Sequence, residues 1–236
     1  MSLLTNIVAY YKTDESSGDA ADSVGSRTLV NTNTVGYVAG KINNASDLGT
    51  SNTNKRLLYT TDSYGITTGA ISISGWVKMN TEIASGDIRF MEHRNGANGI
   101  SNYVEYQFNG GTRRIKIGRD RSGAGVEVVY STLTMGTSNY YHFAMCYDGT
   151  TIEGYVDGAS IGTIASSGSG GAITSGFCVG ATVNGFLYAS ALVDEIGLWD
   201  KRLSSAEVTE LYNGGVGLSY PFSSFTPRPD NRMYFM

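Results

Sequence analysis

The chain has little cysteine and little charge. Only Cys146 and Cys178 occur among 236 residues, so disulfides cannot staple a domain of this size, and the pair lacks metal-ligand spacing. We expect both thiols to act as small buried hydrophobes in strands, with a single disulfide as the alternative. Charged residues make up 16% of the chain and the net charge is −4. This balance argues against a nucleic-acid-binding protein.

The chain also lacks a long apolar run. No stretch approaches the roughly 20 residues of a membrane-spanning helix, so membrane insertion is not expected. The first residues, MSLLTNIVAYYK, have no basic region, and Thr5 and Asn6 interrupt their apolar stretch. That pattern differs from a secretory signal. The protein then stays in the cytoplasm, leaves it by another route, or is represented here by a trimmed sequence.

Glycine and apolar side chains are plentiful. The chain contains 31 glycines without a collagen-like period, which excludes a triple helix. Hydrophobic residues make up 41% and aromatic residues 11% of the chain, enough for a sizeable core. A wholly disordered chain is therefore excluded.

Apolar and polar side chains alternate with a period of two over most of the chain, as in half-buried strands. The clearest segments are residues 70–79, 102–108, 113–119, 140–147, 176–180 and 192–200. Asp148-Gly149 and Asp157-Gly158 are typical hairpin turns. Because no helical pattern separates these strands, we predict an antiparallel sandwich or barrel.

One short helix is predicted after the last strand. Ser204 and Glu207 have the spacing of a capping box, and Leu203 can pack on Val208 as a hydrophobic staple. An apolar stripe follows at helical spacing: Val208, Leu211 and Tyr212. Gly214-Gly215 then ends a helix of about ten residues.

Four segments together resemble the laminin-G-like, concanavalin A-like lectin superfamily. They are NIVAYYKTDESSGDAADSVG (6–25), ISISGWVK (71–78), YYHFAMCYDGTTIEGYVDG (140–158) and LVDEIGLWDKRLSSAEVTELYNGG (192–215). In the third segment, Tyr140 or Tyr141 stands where the family's hairpin usually has tryptophan. The resemblance implies an all-β fold: an antiparallel two-sheet jelly-roll sandwich over residues 1–216 with one short C-terminal helix.

The last residues differ in composition. All three prolines lie in the final sixteen residues, so we predict an extended C-terminal arm over residues 217–236. The arm is either a frayed terminus or a segment that docks on another protein. The candidate docking residues are aromatic: Tyr220, Phe222, Phe225, Tyr234 and Phe235.

Catalysis is not expected. Glycosidases use two carboxylates across a cleft, and laminarinase-type members of the resembled superfamily carry them on one strand as E-x-D-x-x-E. Here Asp194 and Glu195 are adjacent, so a regular strand points them to opposite faces. The chain has two histidines, His93 and His142, and no G-x-S-x-G motif. We predict that the protein is not an enzyme.

The resemblance also implies a calcium site at the rim of the sandwich. The candidate ligands are Asp14, Asp22 and Asp194, which the first and last strands bring towards each other. The alternative is that these carboxylates cap their own turns by accepting backbone hydrogen bonds. No other cofactor is expected.

Basic residues concentrate in the middle of the chain. Between Lys78 and Arg121 there are eight basic and five acidic residues. Alternation places polar side chains of this stretch on one sheet face, where aromatic, amide and charged groups suit glycan binding. The candidate glycan-binding residues are Trp76, Tyr103, Glu105, Gln107, Arg114 and Lys116. An ordinary solvated face, or a contact surface for an acidic protein, remains open.

These observations favour a non-catalytic virion structural or surface protein of a bacteriophage that adsorbs to host-surface glycans. Virion proteins are made in the host cytoplasm without a signal peptide, and the arm would contact other virion proteins. The alternative is a carbohydrate-binding module or adhesin of a secreted bacterial protein, with an extracellular location. A glycoside hydrolase is less favoured.

Overall fold

The computed structural model describes residues 2–50, 53–66, 69–96, 99–171 and 174–222. These residues form fifteen strands and one α-helix. The strands are Ile7–Tyr11 (β1), Val30–Thr32 (β2), Gly36–Ala39 (β3), Asn44–Asp47 (β4), Arg56–Tyr59 (β5), Ile71–Met79 (β6), Gly86–Asn95 (β7), Ile100–Asn109 (β8), Thr112–Arg121 (β9), Gly125–Thr132 (β10), Tyr141–Tyr147 (β11), Thr151–Val156 (β12), Ala159–Ala165 (β13), Gly176–Val179 (β14) and Ala191–Trp199 (β15). The helix, α1, is Ser205–Tyr212.

The strands form two antiparallel sheets. The eight-stranded sheet has the order β13-β12-β11-β6-β15-β4-β3, and β1 also pairs with β15. The seven-stranded sheet has the order β10-β9-β8-β7-β14-β5-β2. Neighbours in each sheet are often distant in sequence, as in a jelly roll. The predicted all-β sandwich with one C-terminal helix is confirmed.

The apolar side chains that alternation selects fill the space between the sheets. These core residues include Ile71, Ile73, Val77, Val104, Tyr106, Ile115, Ile117, Phe143, Met145, Tyr147, Phe177, Val179, Ile196 and Leu198. Burying each of the larger side chains stabilises the fold by about 1.5–3 kcal/mol before entropy is counted. The pattern of period two therefore identified the inner face correctly.

Both predicted hairpin turns form. Asp157 and Gly158 join β12 to β13 with φ of +49° and +76°, a two-residue turn that suits the twist of paired strands. In the turn between β11 and β12, the Asp148 carboxylate accepts hydrogen bonds from the amides of Thr150 and Thr151. The two turns hold β11, β12 and β13 in one meander.

A β-bulge interrupts β15 and corrects one prediction. Pairing of β15 with β6 shifts register between Asp194 and Gly197, and Glu195 has a φ of +51°. Val193 and Ile196 both point into the core, so Asp194 and Glu195 lie together on the outer side. The expectation that they face opposite ways is wrong, because the extra residue of the bulge breaks the alternation.

The helix packs on the outer face of the eight-stranded sheet. The Ser204 side chain accepts from the Glu207 amide and Glu207 accepts from the Ser204 amide, so the predicted capping box is confirmed. Leu203, Val208 and Leu211 join a second apolar cluster there. The helix has eight residues and ends at Tyr212. No helix in the described ranges has the length and hydropathy of a membrane span.

The described start of the arm packs on the sandwich itself. The Phe222 ring lies 5.3 Å from Tyr10 and 6.3 Å from Trp199, and Tyr220 lies 5.9 Å from Tyr10, centroid to centroid. Tyr220 and Phe222 thus pack on their own domain, and their docking on a partner stays a prediction. The other docking candidates, Phe225, Tyr234 and Phe235, lie outside the described residues.

The two cysteines lie on opposite sides of the sandwich. Cys146 belongs to the cluster under α1, and Cys178 packs in a small apolar cluster on the outer side of the seven-stranded sheet. Both are free and fully buried. Burial raises the pKa of the Cys146 thiol to about 12. The prediction of two small buried hydrophobes is confirmed, and no disulfide joins them.

Candidate functional site

The outer face of the seven-stranded sheet carries five of the six predicted glycan-binding residues. Strand pairing places Glu105 between Arg89 and Lys116, and Gln107 beside Arg114. The neighbouring core residues Val104 and Tyr106 point inward, so Tyr103, Glu105 and Gln107 face outward. The structure thus brings Tyr103, Glu105, Gln107, Arg114 and Lys116 onto one surface.

Trp76 does not belong to that surface. It lies on β6 of the eight-stranded sheet, where its ring stacks on Tyr212 at 5.7 Å and packs on His142 at 5.1 Å. The prediction that it shares a face with β8 is wrong. Alternation assigns a side of a strand, but it does not tell which of two sheets the strand joins.

Buried ion pairs connect the polar side chains of β7, β8 and β9. Glu92 accepts hydrogen bonds from Arg89 Nη1 at 2.7 Å and Ser101 Oγ at 2.6 Å, and pairs with Arg94. Glu105 accepts from Arg89 Nη2 at 2.6 Å and from the Lys116 ammonium. We call this set, together with Asp87, Gln107 and Arg114, the polar network. Its four cations face three carboxylates, so the predicted basic surface is largely neutralised.

The network also covers the predicted aromatic platform. The Arg89 guanidinium lies 3.8 Å from the centroid of the Tyr103 ring, which is 3% exposed, and Glu105 is 1% exposed. A sugar cannot stack on a covered ring or reach a buried carboxylate. Tyr103 and Glu105 therefore support the surface rather than contact a ligand.

The network ends in an open cavity of about 580 Å³, at the end of the sheet where β7 begins and β8 ends. We call it the rim pocket. It is lined by Ala84, Ser85, Gly86, Asp87, Gln107, Phe108, Asn109, Gly110, Gly111 and Leu187. Of the predicted glycan-binding residues, Gln107 lines it. The alternation pattern of a single strand does not identify Asp87 or Leu187 as site residues. The Asn109-Gly110-Gly111 turn, by contrast, can be recognised in the sequence.

Two polar side chains of the rim pocket are held in fixed orientations. Gln107 Nε2 donates to Asp87 at 2.6 Å, and Gln107 Oε1 accepts from Arg114 Nε at 2.6 Å. Burial opposes ionisation of Asp87, but hydrogen bonds from Gln107 and Lys116 outweigh it and lower the pKa of this carboxyl. Asp87 is therefore an ionised acceptor at neutral pH.

The loop between β14 and β15, residues 180–190, forms an apolar wall of the pocket. The Thr182 hydroxyl accepts a hydrogen bond from the Phe186 amide, which closes the tip of the loop. The Arg89 amide donates a hydrogen bond of 2.8 Å to the Leu187 carbonyl and so attaches the loop to β7. At the tip, Phe186 is 67% and Leu187 36% exposed. Of this loop, Leu187 lines the pocket together with Asp87 and Gln107.

The three predicted calcium ligands each accept backbone hydrogen bonds. Asp194 accepts from the amides of Lys41 at 2.7 Å and Ile42 at 3.0 Å, Asp14 from Asn44, and Asp22 from Tyr10. Among the described residues, no three His, Cys, Asp or Glu side chains are grouped to hold a metal. Calcium binding stays a prediction.

Gly40 allows the close approach to Asp194, since a Cβ there would lie 2.7 Å from Asp194 Oδ2. Asp194 is fully buried and Glu195 is 3% exposed, with Tyr10 donating to Glu195 at 2.6 Å. Burial raises the pKa of Asp194 to about 8 and that of Glu195 to about 7. A substrate cannot reach this pair of carboxyls.

The histidines are also buried. His142 hydrogen-bonds with Ser74 at 2.8 Å, and burial lowers its pKa to about 3. His93 hydrogen-bonds with the Ser63 carbonyl, and burial lowers its pKa to about 4. Both are neutral packing residues at physiological pH.

Comparison with protein families matches residues 49–209 to the concanavalin A-like lectin/glucanases superfamily. In sequence, no curated protein matches the chain.

Three solved structures share the fold. Domain 4 of AbnA, a GH43 extracellular arabinanase from Geobacillus stearothermophilus in complex with arabinotriose, has a TM-score of 0.65 at 18% identity. The match covers 87% of this chain and 97% of that domain. The binding domain of botulinum neurotoxin DC matches with TM-scores of 0.69 in complex with rat synaptotagmin II and 0.70 in complex with SialylT, at 13% and 12% identity. Each match covers 90% of this chain and 52% of the toxin domain, so the chain spans about half of that domain.

Proposed function

Because the chain belongs to the concanavalin A-like lectin/glucanases superfamily, we propose that it is a non-catalytic carbohydrate-binding domain whose sugar site is the rim pocket. One observation carries the proposal: a fixed pair of polar side chains, Asp87 and Gln107, shares an open pocket with the exposed Leu187 of the 180–190 loop. Fold alone does not imply function, so the site carries the argument.

The lining groups match the chemistry of a sugar. The Asp87 carboxylate accepts from hydroxyl groups, while the Gln107 and Asn109 amides both donate and accept. Leu187 and Phe108, which line the pocket, offer an apolar surface for the C–H face of the ring. Because Asp87 is the one charged side chain among the described lining residues, the pocket favours a neutral saccharide over an acidic one. The arabinotriose complex of the similar arabinanase domain supports neutral oligosaccharides as first probes.

Isothermal titration calorimetry with arabinotriose and a panel of neutral hexose oligosaccharides tests the proposal. The informative variants are Asn109→Ala, at an exposed lining position, and Asp87→Asn. Each should weaken binding about tenfold, the equivalent of roughly 1.4 kcal/mol. The matched control is Thr163→Ala, which removes an exposed polar side chain on β13 of the opposite sheet.

Two results would contradict the proposal. One is the absence of binding to every neutral saccharide of the panel. The other is binding that Thr163→Ala weakens and Asn109→Ala does not, which would move the site to the other sheet.

We also propose, from the sequence, a narrower biological role. In this role, the domain belongs to a virion, adsorbs to host-surface glycans and contacts other virion proteins. Its test is mass spectrometry of purified particles, in which absence of the chain contradicts it. Calcium binding is a separate proposal, tested by thermal unfolding in calcium and in chelator, and an unchanged melting temperature argues against it.

A further inference from the structure

A second cavity, of about 480 Å³, lies on the opposite side of the sandwich, next to α1. We call it the aromatic pocket. It is lined by Lys41, Trp76, Ser138, Asn139, Tyr140, Tyr141, Asp157, Tyr212 and Gly215. Four of these nine side chains are aromatic, a larger share than in the rim pocket.

The back of the aromatic pocket is rigid. Trp76 is 2% exposed and is held between Tyr212, whose ring is 21° from parallel, and His142. Gly217 passes close to the indole, since a Cβ there would lie 3.2 Å from Trp76 Nε1. The half-buried Tyr140 ring stands at the mouth, where a ligand can reach it, whereas the Tyr141 ring packs on Phe143 at the core side of β11.

Two lysines next to this pocket form no salt bridge among the described residues. Lys41 Nζ lies 4.5 Å from the Trp76 ring centroid, and Lys78 Nζ lies 5.3 Å from the Tyr140 ring centroid. Within the described ranges, neither ammonium has a carboxylate oxygen within 4.0 Å. In the polar network, by contrast, Arg89, Arg94 and Lys116 are all paired. Lys41 lines the cavity and Lys78 lies over its Tyr140 ring, so two ammonium groups without a salt bridge are available to an anionic ligand group.

A polar group in the wall is also without a partner. The Tyr140 hydroxyl is buried and forms no hydrogen bond within the described part of the chain. Burial raises the pKa of Tyr140, so the hydroxyl keeps its proton and can donate it. Asp157 is fixed, because its Oδ1 accepts from the His142 amide at 2.8 Å. Tyr140, Asp157 and Asn139 therefore offer both donors and acceptors.

We propose that the aromatic pocket binds an acidic saccharide, a sugar ring that carries a carboxylate. The carboxylate accepts hydrogen bonds from the ammonium groups of Lys41 and Lys78, and charge-assisted bonds of this kind are strong. The sugar ring packs on the Tyr140 ring. The sugar hydroxyls pair with Asp157 and Asn139.

The aromatic walls distinguish a sugar acid from a simple anion. Inorganic phosphate would meet the two lysines but would leave the tyrosine rings without an apolar face to contact. This second site is independent of the rim pocket, and it gives the domain one neutral and one acidic sugar specificity on opposite sheets.

The test is calorimetry on the full chain with matched probes: trigalacturonate against its carboxyl-reduced trisaccharide, and 3′-sialyllactose against lactose. At least one acid should bind at least tenfold more tightly than its neutral partner, and its affinity should fall as salt rises, since salt screens charge pairs. Lys41→Gln should weaken that binding about tenfold, and Tyr140→Phe about threefold to tenfold. Lys55→Gln, which changes net charge equally at a lysine far from the pocket, should have no effect.

Several outcomes would overturn the proposal. They are binding of neither acid, equal binding of acid and neutral partner, equal binding of inorganic phosphate and the sugar acid, and equal loss in Lys41→Gln and Lys55→Gln. If thermal unfolding shows that Lys41→Gln is not folded, Lys78→Gln provides the same comparison. Asn109→Ala should leave acidic binding intact, so failure of the rim pocket and failure of the aromatic pocket are told apart.

Discussion

Glu92 Oε2 accepts a hydrogen bond of 2.6 Å from the main-chain amide of Val183, ninety-one residues later in the chain. Glu92 is 1% exposed and also pairs with Arg89 and Arg94. This contact ties the 180–190 loop to the polar network. It links a buried charge on β7 to the position of the apolar wall of the rim pocket.

Glu92→Gln should therefore loosen the loop as well as lower stability. The amide carries no charge, so Arg89 and Arg94 lose their shared counter-ion in a buried place. We expect a loss of about 3 kcal/mol in the free energy of unfolding, from denaturant titration. Hydrogen exchange at the Val183 amide should accelerate more than exchange at the core amides of β8. Equal acceleration at both places would mean that Glu92 does not position the loop.

Glu105 and Glu82 form ion pairs in very different surroundings. Glu105 pairs with Arg89 and Lys116 and is 1% exposed, whereas the Glu82 side chain is 54% exposed and pairs with Arg113 at 3.4 Å. We expect Glu105→Gln to lower the free energy of unfolding by about 3–5 kcal/mol, because it leaves buried cations uncompensated.

Glu82→Gln is the matched control, with an expected change of at most about 0.5 kcal/mol, since water and salt screen an exposed pair. Comparable losses in the two variants, measured by urea unfolding, would show that the polar network does not depend on its buried charges.

Glu195 should make stability depend on pH. Burial raises the pKa of this carboxyl from 4.5 to about 7. The hydrogen bond from Tyr10 lowers the pKa, but burial has the larger effect. Because the folded state prefers the protonated form, this contribution to stability is complete below about pH 4.5 and is lost as pH rises through about 7. Asp194, with a pKa raised to about 8, acts in the same direction.

Glu195→Gln keeps an acceptor for Tyr10 and removes the titration. Between pH 4.5 and 8, the free energy of unfolding of the unmodified chain should decrease. The decrease should be about 2–3 kcal/mol smaller in the variant. Asp200→Asn, at an exposed position, is the control. Parallel pH profiles for all three chains would exclude Glu195 as the source of the dependence.

Local patterns in the sequence determined much of this protein. Period-two alternation identified the core residues, Asp157-Gly158 predicted a turn, and Ser204 with Glu207 predicted the helix start. Each of these depends on interactions within a few residues or on one face of one strand. The family resemblance supplied the two-sheet arrangement, which alternation alone left open between sandwich and barrel.

Tertiary structure decided the rest, because it depends on which strands become neighbours. Trp76 and Tyr103 alternate alike but lie in different sheets, so one lines the aromatic pocket and the other lies beneath Arg89. The bulge at Glu195 turned two adjacent carboxyls to one side. The central basic residues proved to be mostly paired, since β7 and β8 place carboxylates beside them. Pairing, burial and sheet membership arise from contacts between distant residues, and no single segment encodes them.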